Sequence, residues 1–322
     1  MAIIGAGLSG LVVARALDER CDVTVFEKSR GVGGRMATRY SHPWQFDHGA
    51  QFFTARSAAF RAFLEPLICD GVVAPWPARF AEIDAARVVA RRNWDDGYPH
   101  YVAVPGMNAM GKRLARGLDI RTGTPVSATE RVAHEWRLSG NGDELGAFDW
   151  LVITAPAPQA AALLPPESGL SRVAHAAAML PCFALMLGST TLVDTGWDCA
   201  LVKNSPVSWL SIDSSKPGRN GHTAVVVHSS NAWAAEHIDD DPCSVQERLT
   251  AAASALLGAD PRDWHHAALH RWRYANIDTR QAAPQVDDRL RVAACGDWFV
   301  RGRVEGAFTS ARRLLDELDR SI

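Results

Sequence analysis

Residues 2–10 read AIIGAGLSG. Ala2, Ile3 and Ile4 predict a short buried strand. Gly5-Ala6-Gly7-Leu8-Ser9-Gly10 then supplies G-x-G-x-x-G ahead of LVVARALDER (11–20), whose apolar residues recur at helical spacing. Strand, glycine turn and helix in this order predict a dinucleotide site. Gly5 permits the tight turn, Gly7 lets the backbone approach a pyrophosphate, and Gly10 allows close helix–strand packing. The helix start at Leu8 and Ser9 offers free N–H groups to phosphate. Only three residues precede Gly5, so this first strand is expected to be weakly secured at its edge.

Next along the chain, CDVTVFEKS (21–29) predicts a second strand built by Cys21, Val23, Val25 and Phe26, with Glu27 at its carboxyl end. Glu27 follows Gly5 at close to the roughly 20-residue offset of an acid that hydrogen-bonds a ribose. Next comes EKSRGVGGRMAT (27–38), a second glycine cluster with Lys28 and Arg35 beside it. Gly33 and Gly34 permit positive φ and close backbone approach, and Arg35 is expected to pair with a phosphate. A surface loop is the plain alternative. The functional reading is a second wall around an extended dinucleotide, which favours FAD over NAD as the resident cofactor.

At 322 residues the chain predicts two domains around separate cores. With 47% hydrophobic and 22% charged residues and a formal net charge of -2, it has no footprint for nucleic acid or an anionic membrane. Cys21, Cys69, Cys182, Cys199, Cys243 and Cys295 lie far apart with no CxxC pair, which predicts neither a zinc site nor a disulfide framework and fits a reducing cytoplasm. No run approaches the roughly 20 apolar residues of a membrane span. No cleaved signal peptide is expected, because cleavage would remove the glycine motif that follows Met1.

The assembled motifs resemble the flavin amine oxidase superfamily, in which G-x-G-x-x-G, an acidic strand end and a G-G-R-x-x-T segment together enclose FAD. RLRVAACGDWFVRGRVEGAFTSARRLLDEL (289–318) extends the likeness: a strand from Leu290 to Cys295, Gly296-Asp297, then a helix entered at Val304, Glu305, Gly306 and Ala307. The resemblance implies that Gly296-Asp297 meets the ribityl and phosphate region and that the helix start faces the pyrimidine edge of the flavin. A positive helix terminus there would stabilise the charge gathering at N1–O2 on reduction. Arg301 and Arg303 are placed near the same edge, and Val126 where adenine makes a backbone contact. Gly49, Ala50, Gln51 and Phe52, in FDHGAQFFTAR (46–56), are implied to run beside the isoalloxazine.

Within the superfamily the chain is similar to the renalase family, on FDHGAQFFTAR, YVAVPGMNAM (101–110), LVITAPAPQAAALL (151–164), NSPVSWL, SSKPGR, HRWRYA and CGDWFVRGRVEGAFTSA, in that order along the chain. That similarity implies non-covalent FAD and oxidation of misreduced dihydro isomers of β-NAD(P)H. Hydride would pass to flavin N5, and O2 would be reduced to H2O2. No acid–base pair or nucleophile of recognisable spacing stands against this, since hydride transfer between rings needs mainly stacking and orientation. Ser208 and Ile212 are expected to affect which isomer is preferred, and Cys295 to be buried packing rather than a flavin attachment point. A flavin amine oxidase or desaturase acting on a small amine or apolar substrate is the alternative enzyme. A non-catalytic flavin-binding protein is the alternative of another class.

The fold class is therefore α/β: a Rossmann-like FAD-binding domain of the p-hydroxybenzoate hydroxylase or amine oxidase type, with a second, mixed-sheet substrate domain. The expected boundaries are 1–66, 101–163 and 284–322 for the FAD-binding domain, including a strand around Ile120 to Val126, and 67–100 and 164–283 for the substrate domain. Trp209, His228, Trp272 and Tyr274 are the cavity candidates, with rings offering stacking surface to a nicotinamide-like substrate. Plain core packing is an equal reading for each, and His228 also reads as a satisfied core histidine. His265, His266 and His270 include an i, i+4 pair, but without an intervening Glu and in a strand-like segment no metal site is expected.

Overall fold

Ala2–Ile4, expected to be weakly secured, is instead a central strand of the first sheet. In a computed structural model, which describes residues 1–95, 97–191, 193–219, 221–277 and 285–320, it pairs in parallel with Thr24–Glu27 on one side and Leu151–Ile153 on the other. Neighbours on both sides and 0–7% exposure of its side chains remove the edge that the short length suggested.

The chain divides into two units. The first comprises Met1–Met36, Met110–Met179 and Asn276–Ile322. Its six-stranded sheet runs Val286–Asp287, Val292–Ala294, Leu151–Ile153, Ala2–Ile4, Thr24–Glu27, Asp119–Thr122, parallel except for the first pairing. Strands such as AII, LVI and VAA are apolar at every position because both faces of a parallel sheet are covered. The helices Leu8–Leu17 and Val304–Leu318 belong to this unit, as does the three-stranded sheet Ala128–Val132, Glu135–Gly140, Asp143–Phe148. Trp136 on that sheet is buried, and its indole N–H donates to the Leu290 and Arg291 carbonyls at 3.0 Å.

The second unit comprises Ala37–Ala109 and Leu180–Ala275. Its seven-stranded sheet runs His266–Asn276, Leu180–Ser189, Thr223–Ser229, Val207–Ile212, Cys199–Lys203, Arg79–Asp84, Arg87–Asn93. Side chains alternate between its faces. One face carries Phe183, Leu185, Leu187, Ala200, Val202, Leu210, Val225 and Val227 into a core closed by Ala234, Val245, Leu249 and Ala253 of the helices Asn231–His237 and Pro242–Leu257. The alternate positions, including Met186, Trp209, Val226 and His228, belong to the other face, where Phe46 packs on Met186, Ala224 and Val226.

The unit boundaries differ from those expected. Residues 37–66 and 101–109, assigned above to the FAD-binding domain, group with the second sheet. Phe46 is part of that sheet's packing, the Asp47 N–H donates to Asp213, and Phe53 and Tyr101 exchange backbone hydrogen bonds. Residues 164–179, assigned to the substrate domain, group with the first unit because Leu170 and Ala174 of the helix Gly169–Ala176 enter its core. Ile277 joins the same core, and of the remaining stretch 278–283 lies outside the described residues. The strand expected around 120–126 spans Asp119–Thr122, leaving Val126 beyond its end. The last parallel strand is Val292–Ala294, shorter than the expected Leu290 to Cys295. Among the described residues no helix is long and apolar enough to cross a membrane.

Candidate active site

In the first unit the three motif glycines do three different jobs. Gly5 has φ +108°, a conformation closed to most L residues. A Cβ on Gly10 would stand 2.0 Å from the Gly5 carbonyl oxygen, so helix and turn could not approach. A Cβ on Gly7 would meet nothing within 4 Å, and Gly7 begins the helix Leu8–Leu17 with no side-chain cap. An open backbone at an uncapped helix start fits a pyrophosphate.

The second glycine cluster lies against this turn. The Gly33 N–H donates to the Ala6 carbonyl at 2.8 Å, and Gly7 and Gly33 form a parallel bridge. Gly33 and Gly34 have φ +109° and +56°, and a Cβ on Gly34 would lie 3.2 Å from the Gly7 Cα. Behind them, a Cβ on Gly111 would stand 2.8 Å from the Gly33 Cα. Glycines are thus required on both sides of the contact.

Glu27, 6% exposed, is fixed by the backbone: Oε2 accepts the Ala6 N–H at 2.9 Å and Oε1 the Ser29 N–H at 2.7 Å. The carboxylate retains lone pairs for ribose hydroxyls. The Glu27 carbonyl accepts the Thr124 N–H at 2.9 Å, which brings the loop carrying Val126 towards the same strand end. Lys28 lies at the surface, its Nζ 3.1 Å from Gln159 Oε1.

Arg35 is not placed as expected. Its guanidinium forks onto Asp297, Nη1 to Oδ2 at 2.9 Å and Nη2 to Oδ1 at 2.5 Å. A planar fork matches a carboxylate as well as a phosphate, and the buried Asp297 supplies the anion from within the protein. Asp297 follows Gly296, whose N–H donates to Ser310 Oγ at 3.0 Å in the helix Val304–Leu318. Ser9 Oγ donates to the Ala307 carbonyl at 2.9 Å, tying the starts of the two helices together. The second helix also begins without a side-chain cap, with Glu305 in its first turn, and a Cβ on Gly306 would stand 2.2 Å from the Arg301 carbonyl oxygen. Glycine loop, ribose acid, Arg35–Asp297 fork and second helix start therefore share one end of the first unit, an arrangement that fits an extended dinucleotide.

In the second unit, the face of the sheet opposite the helices carries His228 and Trp272 near His48 and His270, which were not among the cavity candidates, and Trp209 beside another group of rings. His228 is directly opposite Trp209 in the strand register. The Trp272 indole N–H donates to the His48 carbonyl at 2.9 Å, and its ring stacks on the His48 imidazole at 5.4 Å between centroids, 20° from parallel. His270 meets both edge-on, at 4.9 Å from His48 and 4.2 Å from Trp272. His228 Nε2 lies 3.4 Å from the His48 carbonyl and 3.5 Å from Gln51 Nε2. Tyr274, half-buried, follows Trp272 at the next position of the same strand face. Trp209 belongs to a second group of rings, 5.3 Å from Phe52, 6.2 Å from Phe80 and 6.3 Å from Trp94. Gly49, Ala50, Gln51 and Phe52 all lie in this unit, in the loop that crosses these rings.

The three histidines are neutral. Burial pulls the His48 imidazole down to about 3, with His270 and Arg39 adding repulsion. Burial likewise brings His228 and His270 down to about 4. His48 Nδ1 and Trp209 Nε1 are buried polar atoms without a protein partner among the described residues. His266 stacks on Phe46 at 5.4 Å, and His265 reaches Thr190 instead. Among the described residues no group of three or more His, Cys, Asp or Glu is placed to hold a metal. Cys295 is fully buried, and burial raises its thiol pKa far above the ordinary value.

His48, and His270, which was weighed above only as a metal ligand, were not among the cavity candidates because their ring partners lie elsewhere in the chain; FDHGAQFFTAR and HRWRYA contain them only as distinctive segments.

Residues 3–67 match the family described as an NAD(P)-binding Rossmann-like domain, and residues 56–314 the family described as flavin containing amine oxidoreductase. A curated relative, renalase of Mus musculus, is 21% identical, covering 99% of this chain and 98% of its own. Among solved structures, a protein described as a protoporphyrinogen oxidase from Exiguobacterium sp. 255-15 superposes with a TM-score of 0.78 at 11% identity, covering 100% of this chain and 98% of the other. Cyclohexylamine oxidase from Brevibacterium oxydans IH-35A gives 0.71 at 14% identity, with 99% of each chain covered.

Proposed function

The chain belongs to the flavin containing amine oxidoreductases, with FAD as its cofactor, and from that premise we propose that it oxidises misreduced dihydro isomers of β-NAD(P)H. When bound, FAD would supply a two-electron acceptor: it would take a hydride from the dihydropyridine ring, leaving β-NAD(P)+, and would pass that hydride equivalent to O2, which with one proton from solvent becomes H2O2.

The residues of the first unit bind and orient. In this reading Gly7 and the start of the helix Leu8–Leu17 receive the pyrophosphate, and Glu27 the ribose. Gly33 and Gly34 allow close approach, Asp297, held by Arg35, serves the ribityl side, and the N-terminus from Val304 to Ala307 serves the pyrimidine edge. Val126 is assigned the backbone contact to adenine. In this reading FAD is held without covalent attachment, and the buried Cys295, its thiol pKa raised by burial, serves packing.

The arrangement of rings carries the choice of substrate: His48, His270 and Trp272 stack and meet edge-on beside His228, and burial lowers the pKa of all three imidazoles. An alkylammonium ion must lose a proton before it can be oxidised, and imidazoles held near 3 to 4 are poor bases for it. A dihydropyridine gives up hydride without losing a proton, and asks of the protein a flat, desolvated surface against which to stack. Trp209, Trp272 and Tyr274 are assigned that stacking, and His228 an orienting contact. Gly49, Ala50, Gln51 and Phe52 belong to the loop that holds this wall. Similarity to renalase over 99% of the chain supports the same reading.

Steady-state peroxide production tests it. The FAD-loaded protein is expected to release peroxide with 2- or 6-dihydro-NAD(P) and not with alkylamines. Turnover of amines alone would transfer the reading to an amine oxidase. Absence of turnover with every reductant would leave a flavin-binding protein without oxidase activity.

A further inference from the structure

The second unit buries four charges that the proposed chemistry does not use. Asp47, Asp213, Lys216 and Arg219 have side chains 0–1% exposed. Every donor of the Lys216 ammonium is engaged: Asp213 Oδ1 at 2.5 Å, Asp47 Oδ2 at 3.3 Å and Gln51 Oε1 at 3.4 Å. Arg219 Nη2 meets Asp47 Oδ2 at 2.5 Å, and its other amino group reaches the carbonyls of Ala103 and Pro217. Asp47 Oδ1 accepts from Thr38 at 2.7 Å and from the Met107 N–H at 2.9 Å. Asp213 Oδ2 accepts the Asp47 N–H at 2.5 Å, and Ser211 donates to Oδ1 at 3.0 Å.

Two acids and two bases cancel in charge. Their desolvation nevertheless makes such a cluster a poor source of stability compared with apolar packing of equal volume. Burial pushes the Asp47 carboxyl up, but Lys216, Arg219 and the Met107 and Thr38 donors together bring it below the ordinary range. Asp213, with one cation and Asp47 beside it, is raised by its burial. What charged, directional bonds provide and apolar packing does not is a fixed backbone geometry.

That geometry ends at the ring wall. The residue after Asp47 is His48, whose carbonyl accepts the Trp272 indole at 2.9 Å and whose ring stacks on Trp272. Gln51, gripped at Oε1 by Lys216, holds the Gly49 carbonyl with its Nε2 at 3.1 Å. We propose that Lys216 and Arg219 are positioning residues, which through Asp47 and Gln51 fix the 47–52 loop so that His48, His228 and Trp272 form one wall. The consequence for catalysis rests on reading that wall as the substrate site; the consequence for geometry does not.

The test uses the FAD-loaded protein carrying Lys216→Met together with Asp213→Asn, which removes one base and one acid and leaves no net buried charge behind. Three quantities are read: bound FAD per chain, hydrogen exchange of the Trp272 indole N–H by 15N NMR, and kcat and KM with a dihydronicotinamide dinucleotide. The expected result is full FAD content, Trp272 indole protection reduced by about tenfold or more, and KM raised by about tenfold with a smaller change in kcat. A folded, fully flavin-loaded variant with wild-type indole protection would overturn the proposal. Should the double variant not fold, Arg219→Lys keeps the charge but cannot bond Asp47 and the Ala103 and Pro217 carbonyls at once, and its indole protection decides in the same way. If wild-type protein turns over no dihydronicotinamide, indole exchange still decides the positioning claim, and only the substrate reading fails.

Discussion

Arg35 and Asp297, 262 positions apart in sequence, form a two-bond fork at 2.9 and 2.5 Å that ties the second glycine cluster to the turn before the last helix. Arg35→Ala would strip a buried carboxylate of its partner, a loss of roughly 2 kcal/mol for a charged hydrogen-bonded pair. The urea midpoint of the variant is expected to fall and its FAD to be lost on gel filtration. Arg35→Lys is expected to recover little, because a point charge cannot make both bonds.

Glu27 accepts two backbone N–H groups, so removing it leaves both donors without their carboxylate and takes away the acceptor for the ribose hydroxyls. Glu27→Ala is expected to purify folded, by circular dichroism, with FAD affinity reduced by about tenfold or more, in line with the loss of a charged hydrogen bond. A fully yellow variant with unchanged affinity would mean that the ribose is held elsewhere.

Gly7 and Gly10 separate the binding and packing roles of one motif. Gly7→Ala adds a methyl group where nothing stands within 4 Å, so the protein should fold normally and lose FAD affinity. Gly10→Ala puts the same methyl 2.0 Å from the Gly5 carbonyl oxygen and should lower the thermal midpoint, with or without added FAD.

These contrasts bear on what the sequence made legible. The turn at Gly5, Gly7 and Gly10, the acid at Glu27 and the cluster at Gly33 and Gly34 could be read because local backbone chemistry dictates each residue type. The destination of Arg35 could not, since phosphate and carboxylate present the same geometry to a guanidinium and Asp297 is remote in the chain. The rings of Trp209, His228 and Trp272 were candidates because they stand in aromatic- and histidine-rich segments that read as strands. His48 and the Asp47–Lys216 contact depend on a loop crossing the sheet, for which periodicity has no signal. The same loop moved residues 37–66 from one unit to the other.

The neutral histidines make stability pH-dependent in a known direction. With folded values near 3 for His48 and 4 for His228 and His270, against 6.5 unfolded, the unfolded chain binds more protons below neutrality. Their contribution is fully present above about pH 6.5 and is lost as the pH falls towards 4. The urea midpoint should drop between pH 7.5 and pH 5, and replacing His48 by Gln or Phe should flatten that drop.

In the proposed reaction the electron donor is a misreduced dihydronicotinamide ring. Mixing the FAD-loaded protein anaerobically with 2- or 6-dihydro-NAD in a stopped-flow spectrometer is expected to bleach the flavin absorbance within seconds and leave β-NAD+ as the nicotinamide product. Persistence of the oxidised flavin spectrum with both isomers, at full FAD occupancy, would contradict it.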